Sequence, residues 1–317
     1  MTGFFTVCNR YQLPEAIALG KSIRTHHSNA RFVIGYADDR VKDNLPEGFE
    51  LIRAETLGLP FLEEMSQRYQ DFEFVHALRP WFAKHLFEQA GEGAEWAFLA
   101  PTTLVCRPLD DLPRPDRDFL LTANILQPLP YNRTLDDKRI LNIGMFNSNA
   151  WIARNTATVR NLLTWWAKRT TDRAFFDLCN GMCLDQLWLN YVPIHVPSWG
   201  IIRHETWHLG LHNTANLTFN LTSQLPAING KLFYTIDFSG LHGYHPVWSD
   251  HTSLAREPGW RIILRNYQSL LENYEAFQVE GQARYGKPVR VPALRNFRRA
   301  VKSELDQIIT FIDKVEI

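Results

Sequence analysis

FFTVCNRYQLPEAIALGKSI (residues 4–23) followed by RFVIGYADD (residues 31–39) decides the reading of the fold. GFFTVC (3–8) is a short run of β-forming residues. Leu13, Ile17, Ala18 and Ile23 then recur at helical spacing across 13–28. RFVIGYA (31–37) is a second strand, closed by Asp38 and Asp39. Strand, helix and strand in this order predict a parallel pair joined by a right-handed crossover.

Working outward, further strands are expected at 49–54, 96–100, 103–106, 119–124, 145–153 and 231–240. Helices are expected at 72–89 with a bend at Pro80, and at 156–169, 182–191, 259–280 and 292–315. The fold class is α/β: a mixed sheet, parallel at first, with flanking helices and a helical tail. Domain organisation is expected as one body over 1–280 and a basic amphipathic helix within 281–317.

Composition narrows the function. The 317 residues are 45% apolar and 13% aromatic, enough for a packed core, so global disorder is excluded. Lys plus Arg number 34 and Asp plus Glu 34, a neutral balance that is a poor footprint for nucleic acid. No apolar run approaches the roughly 18 residues that a transmembrane helix needs. Cys8, Cys106, Cys179 and Cys183 are too scattered for a disulfide framework, and the opening residues lack a basic stretch followed by an apolar one. A reduced, cytoplasmic location is expected, and the Asn-x-Ser/Thr triplets at Asn132, Asn216 and Asn220 then carry no meaning.

The tail differs from the rest. Between Gly281 and Ser303 lie Arg284, Lys287, Arg290, Arg295, Arg298, Arg299 and Lys302 with no acid among them. The favoured reading is a terminal helix docked by Leu294, Phe297, Val301, Leu305 and Ile308 with its basic face in water. The functional alternative is peripheral contact of the 284–302 face with an anionic membrane surface at the inner membrane face, or with an acidic acceptor.

Several segments, in their order and spacing, resemble the nucleotide-sugar glycosyltransferases of the GT-A fold, near the retaining glycosyltransferase family 8 group. The resemblance covers roughly residues 3–250. Val7, Cys8, Asn9 and Tyr11 match a segment that lines the donor base, and Arg79 in FVHALRPWFAKHLFE matches a phosphate-facing cation. MFNSNAWIARN resembles a strand beside the donor sugar through Asn147 and Ser148, with Asn149 where the family has glycine. LDQLWLNYVP supplies Asp185 and Gln186 as an Asp-Gln pair, and LHNTANL matches a later element through Asn213 and Ala215. DFSGLHGYHPVW resembles a loop that caps the pyrophosphate, giving Asp237, Ser239, Gly240, His242 and His245. The resemblance implies transfer of a sugar from a nucleotide-diphosphate donor to an acceptor (glycan, protein or small molecule), with retention of anomeric configuration.

Two departures matter. The family's Asp-x-Asp motif, which holds a divalent cation, is replaced by Ala100-Pro101-Thr102-Thr103, and the family's third ligand, a histidine, is Asp237. Hard cations require oxygen ligands in fixed number and geometry, so no metal cofactor is expected there. Protein cations must then meet the charge that develops on the leaving phosphate, with Arg79 first, His242 and His245 next, and Lys231 and Arg203 behind them. Asp185 is expected near the anomeric carbon or the sugar hydroxyls, oriented by Gln186, and His76 on the Arg79 helix is read as structural. A non-catalytic protein that kept sugar or partner binding is the principal alternative. His204-Glu205-Thr206-Trp207-His208 also spells a zinc-hydrolase motif, which demands a helix to bring both imidazoles to one face.

Overall fold

The computed structural model describes residues 1–41, 45–129, 135–216, 227–228, 230–256, 258–289, 301 and 305. The chain divides into two compact units, Met1–Lys287 and Pro288–Ile317. Residues 281–287 belong to the first unit. Of the expected tail helix, Arg295, Arg298, Arg299 and Lys302 lie outside the described residues, while Val301 and Leu305, expected on its docked apolar face, are 40% and 52% exposed.

The opening βαβ unit forms as its pattern predicts. All six residues of β1 (Gly3–Cys8) are buried, as befits a strand covered on both faces. α1 (Leu13–His26) begins with Pro14 and Glu15 in its first turn, where the missing N–H costs nothing and the acid meets the helix dipole. β2 (Arg31–Tyr36) runs parallel to β1, pairing Phe4 with Phe32 and Cys8 with Tyr36. β3 (Glu50–Arg53) adds a further parallel strand at the edge. α2 (Leu62–Arg68) precedes α3 (Asp71–Gln89), whose first turn is closed by a capping box between Gln70 and Glu73. α3 runs without interruption through Pro80, which has no N–H to offer the His76 carbonyl.

β4 (Glu95–Leu99) lies parallel to β1 on its other side. β5 (Thr103–Val105) leaves the main sheet. β6 (Phe119–Ala123), α4 (Asp137–Ile143), β7 (Phe146–Arg154) and α5 (Ala157–Thr170) follow, with Thr156 capping α5. Next come a small hairpin of β8 (Phe176–Asp177) and β9 (Met182–Cys183), then α6 (Val192–His195) and β10 (Trp199–Ile201). β11 (His208–Leu209), β12 (Ala227–Ile228), β13 (Lys231–Leu232), β14 (Thr235–Asp237) and α7 (Pro258–Glu272) complete the described elements.

The main sheet has the order β10-β6-β7-β4-β1-β2-β3. β7 runs antiparallel to both its neighbours, so its first residues sit at the same end of the sheet as the carboxyl ends of β4 and β6. A second sheet, β11-β14-β5, lies beyond. Trp151 anchors the core: its ring stacks on Phe98 at 5.6 Å and Phe119 at 5.3 Å, and meets Phe5 edge-on at 5.5 Å. β2 lies flush on α3 at Gly35, where a Cβ would fall 2.7 Å from the Phe82 ring. Among the described residues no helix is long and apolar enough to cross a membrane.

Three expected elements differ. The helix at 182–191 is instead β9 followed by a 3-10 helix, Gln186–Tyr191, because Leu184 between them takes a left-handed φ of 54°. The strand at 231–240 is two short pieces, β13 and β14. The helix at 259–280 stops at Glu272.

Candidate active site

The site begins at an irregularity between β6 and β7. Leu121 pairs with Trp151 but the next residue, Thr122, pairs with Asn147. Ser148, Asn149 and Ala150 therefore have no partner on β6, an irregularity longer than a simple two-against-one bulge, at the sheet end. Asn147, Ser148 and Asn149 are all buried.

Asp185 is fully buried and reaches this bulge. Its position is set by Leu184: a leucine with positive φ is a costly backbone state that persists only where the surroundings enforce it. Trp166 Nε1 donates to the Asp185 carbonyl at 3.0 Å. Asp185 Oδ1 accepts from His76 Nδ1 at 2.7 Å and from Ser148 Oγ at 3.1 Å. Its Oδ2 faces Arg79 NH1 at 3.7 Å and accepts no hydrogen bond. Burial alone would raise this carboxyl, but the Arg79 charge and the bonds from His76 and Ser148 outweigh it and hold it below the usual carboxylate range. Burial and the adjacent Arg79 push His76 down to about 4, so at neutral pH its imidazole is uncharged and donates through Nδ1. Arg79 also donates to Ser148 Oγ at 3.3 Å and Asn149 Oδ1 at 3.2 Å. Gln186 locks the bulge from below, its Oε1 accepting from Ser148 N at 3.2 Å and its Nε2 donating to Ile143 O at 2.8 Å.

The second carboxylate, Asp237 at the end of β14, closes the same network. Its Oδ1 accepts from Thr102 Oγ1 at 2.8 Å, Ser239 N at 3.0 Å and Ser239 Oγ at 2.8 Å. Its Oδ2 accepts from Asn149 Nδ2 at 2.9 Å, with His208 Nε2 at 3.8 Å. Thr102 thus supplies a hydroxyl donor where the resemblance expects a metal-binding carboxylate. The donors present do not fit a hard divalent cation, because the Asp237 oxygens are already engaged and Thr102 and Thr103 bring no second charge. Among the described residues no group of three or more His, Cys, Asp or Glu side chains is arranged to hold a metal ion.

The remaining expected residues are scattered around this network. Val7 and Cys8 are fully buried in the apolar layers on opposite faces of the sheet. Asn9 is nearly buried and its Oδ1 accepts from Tyr11 N at 3.1 Å, while Tyr11 itself is 39% exposed. His242 Nε2 lies 3.3 Å from Glu15 Oε1. Gly240 lies in the turn after Ser239, and the loop brings the His245 ring to 6.2 Å from that of His76. His245 Nδ1 accepts from Val247 N at 3.2 Å and Trp248 N at 3.3 Å, which leaves its proton on Nε2. Burial and His76 push His245 down to about 3. Asn213 holds a turn, accepting from Gly210 N at 3.1 Å and donating to the His208 carbonyl at 2.9 Å. Lys231 is exposed, 3.8 Å from Glu205. The helix that a zinc-hydrolase motif needs is not formed, since His208 lies in β11 and its Nδ1 bonds Thr235 Oγ1 at 2.9 Å.

His76, read from sequence as structural, is a direct partner of Asp185. The signal was its place three residues before Arg79, on the same face of α3. Arg10 and Asp38, neither of them an expected site residue, form a buried ion pair at the ends of β1 and β2, with Arg10 Nε to Asp38 Oδ2 at 2.8 Å.

The sheet order and flanking helices define a mixed α/β fold. No family model and no curated protein matches the chain. Among solved structures it is similar to the galactosyltransferase LgtC in complex with donor and acceptor sugar analogues, at 11% identity and a TM-score of 0.47 over 88% of this chain and 98% of that one. It is similar to the glycosyltransferase GlyE of Streptococcus pneumoniae, at 10% identity and a TM-score of 0.44 over 90% of this chain and 67% of that one. It is also similar to the bifunctional glycosyltransferase WbbM, at 13% and 0.46, covering 84% of this chain and 52% of that one. Likeness at this level assigns the chain no activity.

Proposed function

We propose that this chain binds the sugar of a nucleotide-diphosphate donor beside Asp185 and transfers it to an acceptor, with retained anomeric configuration and without a divalent cation. The observation that carries the reading is the buried Asp185 network. Burying ionised groups is expensive, and such groups cluster where chemistry uses them. Here the Asp185 Oδ2, Arg79 Nε and Asn147 Nδ2 atoms are all buried and without a hydrogen-bond partner, an acceptor and two donors suited to sugar hydroxyls. The Asp237 oxygens, engaged by Thr102, Asn149 and Ser239, support the cation-free part.

One observation favours a second reading, a protein that holds a neutral sugar or glycan without transferring it. Arg79 faces two buried carboxylates, Asp185 and Asp237, so an entering diphosphate would meet a site with an excess of negative charge. Incubation with UDP-, GDP- and dTDP-sugars in EDTA, with product release followed against time, separates the two. Turnover in EDTA that is lost in Asp185→Asn establishes transfer or hydrolysis. Sugar binding with no turnover of any donor establishes the second reading and ends the first.

A further inference from the structure

The stretch from Val279 to Lys287 passes over the ends of β1 and β2, bending at Gly281 and Gly286, and is held by hydrogen bonds along its length. Arg10 NH1 donates to Glu280 O at 3.2 Å. Ala283 N donates to Tyr11 Oη at 3.0 Å, and Arg284 N to Asp38 Oδ1 at 3.2 Å. The Tyr285 ring stacks on Phe74 at 5.3 Å and its hydroxyl donates to Glu55 at 2.7 Å. Lys287 then pairs with the start of α3, donating to Tyr69 O and accepting from Asp71 N, each at 2.9 Å. Gly286 makes this close approach: its φ is 82°, and a Cβ there would fall 2.4 Å from Asp71 Cα.

One of these contacts lands on Tyr11, in the segment expected to line the donor base, and another on Asp38, which is paired with Arg10 of that segment. Tyr11 Oη and the Asp38 carboxylate are hydrogen-bond acceptors at the carboxyl ends of β1 and β2, and the strap fills both with backbone N–H groups. The other Asp38 positions are taken by Arg10 and by Asp39 N. Each nucleobase presents at least one N–H donor at its edge, the same donor type that the strap offers here. We propose that residues 279–287 are an autoinhibitory strap whose Ala283 and Arg284 N–H groups occupy the place of the donor's nucleobase, so that donor binding requires the strap to lift. The inference rests on the proposed donor site.

The test compares the full chain with its Gly286→Val variant, which drives the strap away from Asp71, and with Arg284→Pro, which removes the N–H to Asp38. UDP, GDP and dTDP are titrated calorimetrically into each, and hydrogen exchange of the Ala283 and Arg284 amides is followed with and without saturating nucleotide. Removing a competing internal ligand raises apparent affinity by the fraction of molecules released. At least about tenfold tighter binding of one nucleotide by either variant is expected, the equivalent of about 1.4 kcal/mol. Both amides of the unaltered chain should lose protection when that nucleotide binds. Equal or weaker binding by both variants, or amides that stay protected in the nucleotide complex, overturns the strap while leaving the donor reading intact. Failure of every nucleotide to bind any of the three proteins removes the donor reading, and the strap proposal with it.

Discussion

Arg79 faces both Asp185 and Asp237, and all three are buried. Removing the guanidinium would leave two buried carboxylates without its charge. Arg79→Leu is therefore expected to lower unfolding free energy by about 3–5 kcal/mol, measured by urea denaturation. A loss below about 1 kcal/mol would mean that the two carboxylates are solvated some other way. Thr102 is informative in the opposite sense. Thr102→Asp places a second carboxylate within hydrogen-bond range of Asp237, where like charges repel unless a cation joins them. The variant should melt lower than the unaltered chain in EDTA and recover with manganese, while the unaltered chain should show no manganese-dependent shift. A manganese shift in the unaltered chain would contradict the cation-free site.

At the level of elements, the site depends on how tightly β2, α3 and β7 are seated. Gly35 is the contact point between sheet and helix, and a Cβ there meets the Phe82 ring itself, not a flexible side-chain end. Gly35→Ala is expected to destabilise by about 1–3 kcal/mol through overpacking, read in the denaturant midpoint. Because α3 also carries His76 and Arg79, the same change should weaken sugar binding without touching the site; unaltered stability would show that helix and sheet can separate cheaply. The α3 and α5 helices were legible as apolar periodicities, and the parallel strands as short runs of β-forming residues, since such strands are buried on both faces. The 182–191 segment was not, because one residue, Leu184, leaves the helical region and no local pattern announces a strained backbone forced by its surroundings.

Across the whole molecule, acid sensitivity should follow from histidines buried uncharged. Burial pushes His76 and His208 down to about 4, and His212 and His245 to about 3, from an ordinary 6.5. Between those values the unfolded chain takes up protons that the folded chain refuses, so stability falls as pH drops from about 6.5 toward 4, by up to about 1.4 kcal/mol per pH unit for each proton. The lowered carboxyls of Asp185 and Asp237 add a loss only below about pH 4. Melting temperature measured from pH 7 to pH 4.5 should therefore decline steadily, and His208→Gln should flatten the decline. A flat profile over this range would show these imidazoles to be solvated and charged.

Periodicity and residue type predicted an α/β chain that opens with a βαβ unit, while the resemblance to the glycosyltransferase group singled out Asp185, Gln186, Arg79, Ser148 and Asp237 and exposed the missing carboxylates at Thr102 and Thr103. These are local properties: apolar spacing dictates which face is buried, and side-chain chemistry dictates what a position can ligate. The pairings came from folding. Asp185 meets His76 from a helix 109 residues away in sequence, Asp237 meets Thr102 across 135, and Arg284 reaches Asp38 across 246. Contacts at such separations leave no mark in neighbouring residues, because they exist only once the sheet has brought the ends of β1, β4, β7 and β14 together.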